Sequence, residues 1–193
     1  MGRKLVTAAK IGDVMEVKKI LRANSAVNVN QKDNHWGKTA LHVACKGGYD
    51  AIVTILLAHP EIDVNPPDDF GNTPCQYACA AGKTSCVRAL MVDQRVKFGE
   101  GDTQRSHTLW GAAYEGHLDV IKWWIVSKRE IDGLGGEMED LILAATLTER
   151  EEVLALLERF KENPVETRHE VKNELGVAGE SSFATPPLTS GPS

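Results

Sequence analysis

Gly37-Lys38-Thr39-Ala40-Leu41-His42-Val43-Ala44-Cys45-Lys46-Gly47-Gly48 is answered 34 residues later by Gly71-Asn72-Thr73-Pro74-Cys75-Gln76-Tyr77-Ala78-Cys79-Ala80-Ala81-Gly82. A displacement of this size, repeated, is the signature of a solenoid built from stacked supersecondary units. The Ala-x-x-x-Gly marker within the stretch extends the comparison. Ala8 to Gly12, Ala44 to Gly48, Ala78 to Gly82 and Ala112 to Gly116 start at steps of 36, 34 and 34.

An apolar stretch at helical spacing follows each marker glycine: Val14, Val17, Ile20 and Leu21; Ile52, Val53, Leu56 and Leu57; Val87, Leu90 and Met91; Val120, Ile121, Trp124 and Ile125. Each unit therefore reads as a helix, a glycine turn and a second helix. Alanine stands on the first helix where a neighbouring helix must approach closely. Glycine accepts the positive φ that ends that helix.

These residues resemble the ankyrin-repeat family. Thr39-Ala40-Leu41-His42 and Thr73-Pro74-Cys75-Gln76 are similar to the Thr-Pro-Leu-His that opens an ankyrin helix pair, and Val29-Asn30 and Asp63-Val64-Asn65 resemble its hairpin. The resemblance covers residues 5–130 well and 139–162 loosely. It implies an all-α ankyrin-repeat solenoid of stacked helix-turn-helix units with hairpin loops, over residues 1–162. Approximate units are 1–33, 34–67, 68–101, 102–135 and 136–162. His42 and His117 stand where the family's histidine bonds the backbone of adjacent turns. Asn30 and Asn65 stand in the hairpin slot that intracellular hydroxylases modify in many such arrays, and they are expected to hold the turn by bonding their own backbone.

The departures from the pattern are local. Unit four has Arg105 for the hairpin glycine, His107 for threonine and Trp110 for histidine, and Trp110 is expected to fill space left by Gly111. In the fifth unit Thr148 stands where the turn glycine is expected. Units one and five read as caps, since terminal repeats face water on one side.

Composition restricts the function classes. A formal net charge of −5 without a Lys/Arg cluster argues against nucleic acid. No apolar run approaches membrane-spanning length, and the N-terminus lacks a signal-peptide core; an intracellular, cytoplasmic protein is the expectation. Cys45, Cys75, Cys79 and Cys86 fit core slots; Cys75 and Cys79, one helical turn apart, are the alternative as metal ligands but lack a zinc-type spacing. Gly37-Lys38-Thr39 and Gly82-Lys83-Thr84 end like phosphate-binding loops, yet Lys32 and Tyr77 occupy the places where that motif needs glycine. The histidines are scattered, and no nucleophile elbow or metalloprotease helix is present. No cofactor, metal or catalytic residue is therefore assigned.

What remains is a recognition surface. The resemblance implies a concave face, made by hairpin tips and first helices, that binds another protein. Carried over slot by slot, the tips offer His35, Trp36 and Lys38, then Asp69, Phe70 and Asn72, then Thr103, Gln104 and Ser106. The helix slots before the turn glycine offer Lys46 and Gly47, Ala80 and Ala81, and Tyr114 and Glu115. Trp36 and Phe70 share one slot in adjacent repeats, either as an anchoring apolar ladder or as rings folded against the next hairpin. The expected function is a non-catalytic, monomeric interaction module. Its alternatives are a regulatory or targeting subunit of an enzyme assembly, or an adaptor fragment of a larger protein.

The end of the chain changes character. Asn163-Pro164 reads as a helix start and Gly176 as its stop, giving a short helix over 163–176 with a thin apolar face of Val165, Val171 and Leu175. That helix either lies against the last repeat or frays. Residues 177–193, rich in Gly, Ser, Thr and Pro, are expected to be disordered, with Thr185-Pro186 a candidate phosphorylation site.

Overall fold

Alanine and glycine on alternate helices decide how the chain stacks. The computed structural model describes residues 2–23, 27–97, 108–127 and 135–177. The helices, in chain order, are α1 Gly2–Lys10, α2 Val14–Ala23, α3 Ala40–Gly47, α4 Asp50–Leu57, α5 Pro74–Ala80, α6 Thr84–Val92, α7 Trp110–Glu115, α8 Leu118–Val126, α9 Gly135–Leu147, α10 Glu151–Glu162 and α11 Pro164–Glu174. No strand occurs among the described residues. The first helices (α1, α3, α5, α7, α9) pack in one row and the second helices (α2, α4, α6, α8, α10) in another. This is the all-α solenoid expected from the repeat.

Between the rows runs one continuous core. The first helices contribute mainly small residues, Ala9, Ala44, Cys45, Ala78, Cys79, Ala112 and Ala113, all fully buried, so their backbones approach closely. Bulk comes from the second helices, through Ile52, Leu56, Leu90, Ile121 and Leu157. All four cysteines are buried thiols. Burial pushes Cys45 up from its ordinary value and, with nearby Asp50, Cys86 to about 11. They act as small hydrophobes.

The turn glycine meets two demands at once. Gly82 has φ 63°, and a Cβ built there would lie 2.6 Å from Nδ1 of His117, which caps the preceding repeat. His117 Nε2 also bonds the Ala80 carbonyl at 3.0 Å. The same seat recurs along the stack: Tyr49 lies over Gly12, Lys83 over Gly48 and Arg150 over Gly116. Each of Tyr49, Lys83, His117 and Arg150 directly precedes a second helix.

Three expectations are corrected. First, the left-handed residue of the fifth unit is Glu149, with φ 55°, and not Thr148. Arg150 N bonds Ala145 O there, as His117 N bonds Ala112 O one unit earlier, so this unit is one residue out of the expected register. Thr148 instead donates its hydroxyl to Tyr114 O and Ala144 O. Second, Trp110 does not fill the space at Gly111. Ala80 does, since a Cβ on Gly111 would lie 2.6 Å from that of Ala80. Trp110 stacks on Tyr114 one helical turn along, with centroids 4.7 Å apart. Third, Asn30 and Asn65 do not bond their own turns. Asn30 Nδ2 donates to Glu61 O at 2.8 Å, and its Oδ1 accepts from Asp63 N at 2.9 Å. Asn65 does the same with Arg95 O and Lys97 N. The local turns are held by Asn28, Asp63 and Asp93, each accepting from the backbone N–H two residues on.

The last helix lies against the array. Val171 and Thr167 are buried, Arg168 Nε donates to Ile125 O at 2.8 Å, and Lys122 pairs with Glu174 at 2.8 Å, which joins α11 to α8 and α10. The tail beyond Val177, with Thr185-Pro186, lies outside the described residues.

Two substitutions test the turn geometry by urea denaturation. Gly82→Val should cost at least about 2 kcal/mol, combining left-handed strain with the His117 contact. Glu149→Gly should stabilise by about 1 kcal/mol, since it removes the same kind of strain from an exposed position.

Candidate protein-recognition surface

The two described hairpin tips, at residues 33–38 and 68–72, are each built around one aspartate. Asp33 Oδ1 accepts from the backbone N–H groups of His35, Trp36 and Lys38, which lifts Trp36 to the crest of the loop. Asp68, buried, accepts from Phe70 N and Asn72 N through Oδ1 and from Tyr77 Oη through Oδ2 at 2.8 Å. Burial by itself would raise the Asp68 pKa. The bonds from Asn72, Tyr77 and Phe70 outweigh it and hold the carboxyl below its ordinary value. For Tyr77, burial and donation to this carboxylate both push the phenol up.

Trp36 and Phe70 come together at the crest. Trp36 is 52% exposed and Phe70 65%, and their rings lie 5.4 Å apart, tilted by 35°. Asp69 N donates to Trp36 O at 3.0 Å, which fixes the register of the two tips. The rings touch each other across successive tips and both remain exposed. His35 and Asp69 are exposed beside them. Asn72 is half-buried and tied down, its carbonyl accepting from His42 Nε2 at 3.0 Å.

Below the tips, the first helices carry the rest. Lys38 Nζ sits 4.6 Å from the Tyr77 ring centroid, and Lys46 Nζ 5.8 Å from it on the same ring. Between α5 and α7 lies a groove of about 320 Å³ lined by Gln76, Tyr77, Ala80, Trp110, Tyr114 and Glu115, among others. Tyr114 and Glu115 are exposed as expected. Thr103, Gln104 and Ser106 lie outside the described residues.

Sequence reasoning missed part of this surface. Tyr77, in the middle of α5, links the lysines to the groove; its being the sole aromatic on that helix was the available signal. Leu143 and Leu147, 52% and 67% exposed, are the α9 counterparts of Trp110 and Tyr114 once the turn is counted from Glu149. Placing the turn at Thr148 put Ile142 and Thr146 in those slots and hid the leucines.

The profile of the family described as "Ankyrin repeats (3 copies)" matches residues 5–102. The chain belongs to the ankyrin-repeat family. It is 28% identical over 143 residues to the E3 ubiquitin-protein ligase KEG of Arabidopsis thaliana, a match covering 72% of this chain and 8% of that protein. To the E3 ubiquitin-protein ligase XBAT33 of the same plant it is 32% identical over 124 residues, covering 63% of this chain and 23% of the relative. To the human SMC5-SMC6 complex localization factor protein 1 it is 42% identical over 60 residues, 31% of this chain and 6% of that protein. The chain thus spans less than a quarter of the length of each. Ankyrin repeats are a non-catalytic protein-interaction fold. No described helix is long and apolar enough to cross a membrane.

The ankyrin histidine makes folding stability depend on pH. His42 is fully buried; Thr39 N donates to its Nδ1 at 3.0 Å, so Nδ1 is the unprotonated nitrogen and Nε2–H donates to Asn72 O. Burial drives the His42 pKa below its ordinary 6.5. The unfolded chain therefore binds a proton that the folded chain resists. Stability contributed by the neutral ring is whole above pH 6.5 and falls as pH drops through the folded value. In the next repeat Gln76 occupies this slot, with Thr73 N donating to its Oε1 at 2.6 Å. His42→Gln should keep the fold and flatten the loss of thermal stability as pH falls below 6.5, measured by melting at a series of pH values.

Proposed function

We propose that this chain is a recognition module without catalysis of its own, which captures a protein partner on the concave face made by its hairpin tips and first helices. The pair of aromatic rings at the tips carries this reading. Water-exposed Trp36 and Phe70 in register form a preformed apolar anchor, and such rings are enriched where interfaces draw most of their energy. Their polar surroundings have structural employment: Asp33 and Asp68 hold backbone N–H groups and Tyr77, as a rigid platform for the rings requires. A rigid platform lowers the ordering cost of binding.

Four buried free thiols support an intracellular setting, and the net charge of −5 supports a protein partner over nucleic acid. A second reading, that the array works as an adaptor within a larger assembly, is favoured by its relatives. In two ubiquitin ligases and a localization factor the matching segment makes up only 8%, 23% and 6% of the protein.

Trp36→Ala with Phe70→Ala should abolish partner capture from cell extract, at a cost of about 2 kcal/mol or more in binding, while leaving the melting temperature nearly unchanged. Loss of stability in step with loss of capture would make the rings structural. Undiminished capture would move the anchor away from the tips.

A further inference from the structure

Two features of the first-helix face meet at one ring. Toward unit two, Lys38 and Lys46 place ammonium groups 4.6 and 5.8 Å from the Tyr77 centroid, and neither forms an ion pair among the described residues. Toward unit four, Tyr77 lines the groove with the stacked Trp110 and Tyr114, and in the next unit the exposed Leu147 occupies the slot that Tyr114 holds here. A single ring thus borders a cationic shelf on one side and an apolar slot on the other.

The nearby carboxylates Asp33 and Asp68 keep their charge, but they are turned toward backbone donors and the Tyr77 hydroxyl, and neither pairs with Lys38 or Lys46 among the described residues. Asp69 sits at the exposed tip, its carboxylate against Gly37. Glu115 lines the groove on its α7 side, beside Tyr114, where it would repel a second negative charge. The surface is polarised along the stack, and polarity of this kind sets the direction in which a ligand lies.

We propose, resting on the recognition reading above, that the groove takes a short extended peptide segment of acidic and bulky apolar residues. A carboxylate side chain lies over Lys38 and Lys46, and a large apolar side chain enters between Tyr77, Trp110 and Tyr114. Adjacent packed helices are roughly 8–10 Å apart and an extended chain rises about 3.3 Å per residue, so the two side chains are separated by about three residues. Backbone groups of such a segment stay solvated along the open groove, which suits a narrow ligand better than a folded surface.

Panning a displayed library of random dodecapeptides on the full chain tests this. The expected enrichment is Asp or Glu about three residues from Phe, Trp, Leu or Met. Lys38→Glu with Lys46→Glu should weaken the best selected peptide by about tenfold or more in fluorescence anisotropy, and panning that variant should enrich Lys or Arg in place of the acid. Tyr114→Ala should weaken the same peptide to a similar degree while leaving the charge preference intact. If circular dichroism shows the charge reversal to be unfolded, Lys38→Gln with Lys46→Gln carries the test, with loss of the acidic preference as the expected result. No enrichment, enrichment indifferent to charge, or an affinity unmoved by the lysine variants overturns the proposal. The module reading is separable: capture that depends on Trp36 and Phe70 would survive failure of the peptide groove, and an acid-selective groove would survive failure of the tip anchor.

Discussion

The seat of one repeat on the turn of the next is the constraint on which this molecule rests. A turn glycine with positive φ ends each of the first four first helices, and the missing Cβ leaves room for a side chain from the following unit. Tyr49, Lys83, His117 and Arg150 span two aromatic rings and two cationic chains, yet each lies over the bare turn of the preceding unit. What the site selects is a side chain that covers a bare backbone, and two of the four also bond a carbonyl of the preceding unit, His117 at Ala80 and Arg150 at Tyr114. Sheer repetition turns a modest contact into an architecture, because each seat fixes the spacing and rotation of its neighbour.

The hairpins follow the same logic with different chemistry. Short-range acceptors, Asn28, Asp63 and Asp93, close each turn locally, while Asn30 and Asn65 reach forward to the backbone of the next loop. A side-chain amide can do this because it offers donor and acceptor together, so it satisfies a carbonyl and an N–H of the neighbouring loop at once. Each such bond contributes only about 1 kcal/mol. Their combined effect is to hold the tips in register, and that register is what sets Trp36 against Phe70 and Asp69 N against Trp36 O.

The residues that organise the tips are therefore also the ones that border the proposed recognition surface. Asp68 organises the Phe70 tip and also orients Tyr77, which borders both the lysine shelf and the groove. His42 reaches from α3 to Asn72 of the following tip and makes an edge contact with Tyr77 at 5.9 Å. A neutral, buried histidine is well suited to that span, since one nitrogen accepts from Thr39 and the other donates to Asn72.

The repeat was legible in the sequence because its markers are backbone demands. Ala-x-x-x-Gly follows from close helix approach and a left-handed turn, and few residues other than alanine and glycine meet both. Where the demand was met by an unlikely residue, reading failed. Glu149 adopts the left-handed conformation that the pattern assigned one place earlier, and this shift concealed Leu143 and Leu147. Slots could also be read from one repeat to the next, which placed Trp36, Phe70, Lys38, Lys46 and Tyr114 on one face. Contacts between slots could not. The occupation of the Gly111 space by Ala80, the forward reach of Asn30 and Asn65, and the docking of α11 through Arg168 depend on side-chain directions and on the distance between successive units. By itself the sequence determined the repeating unit and its hydrophobic phase, since both are local and periodic. Only the tertiary structure decided which side chains meet across units, because that is set by packing between segments more than 30 residues apart, where no local periodicity acts.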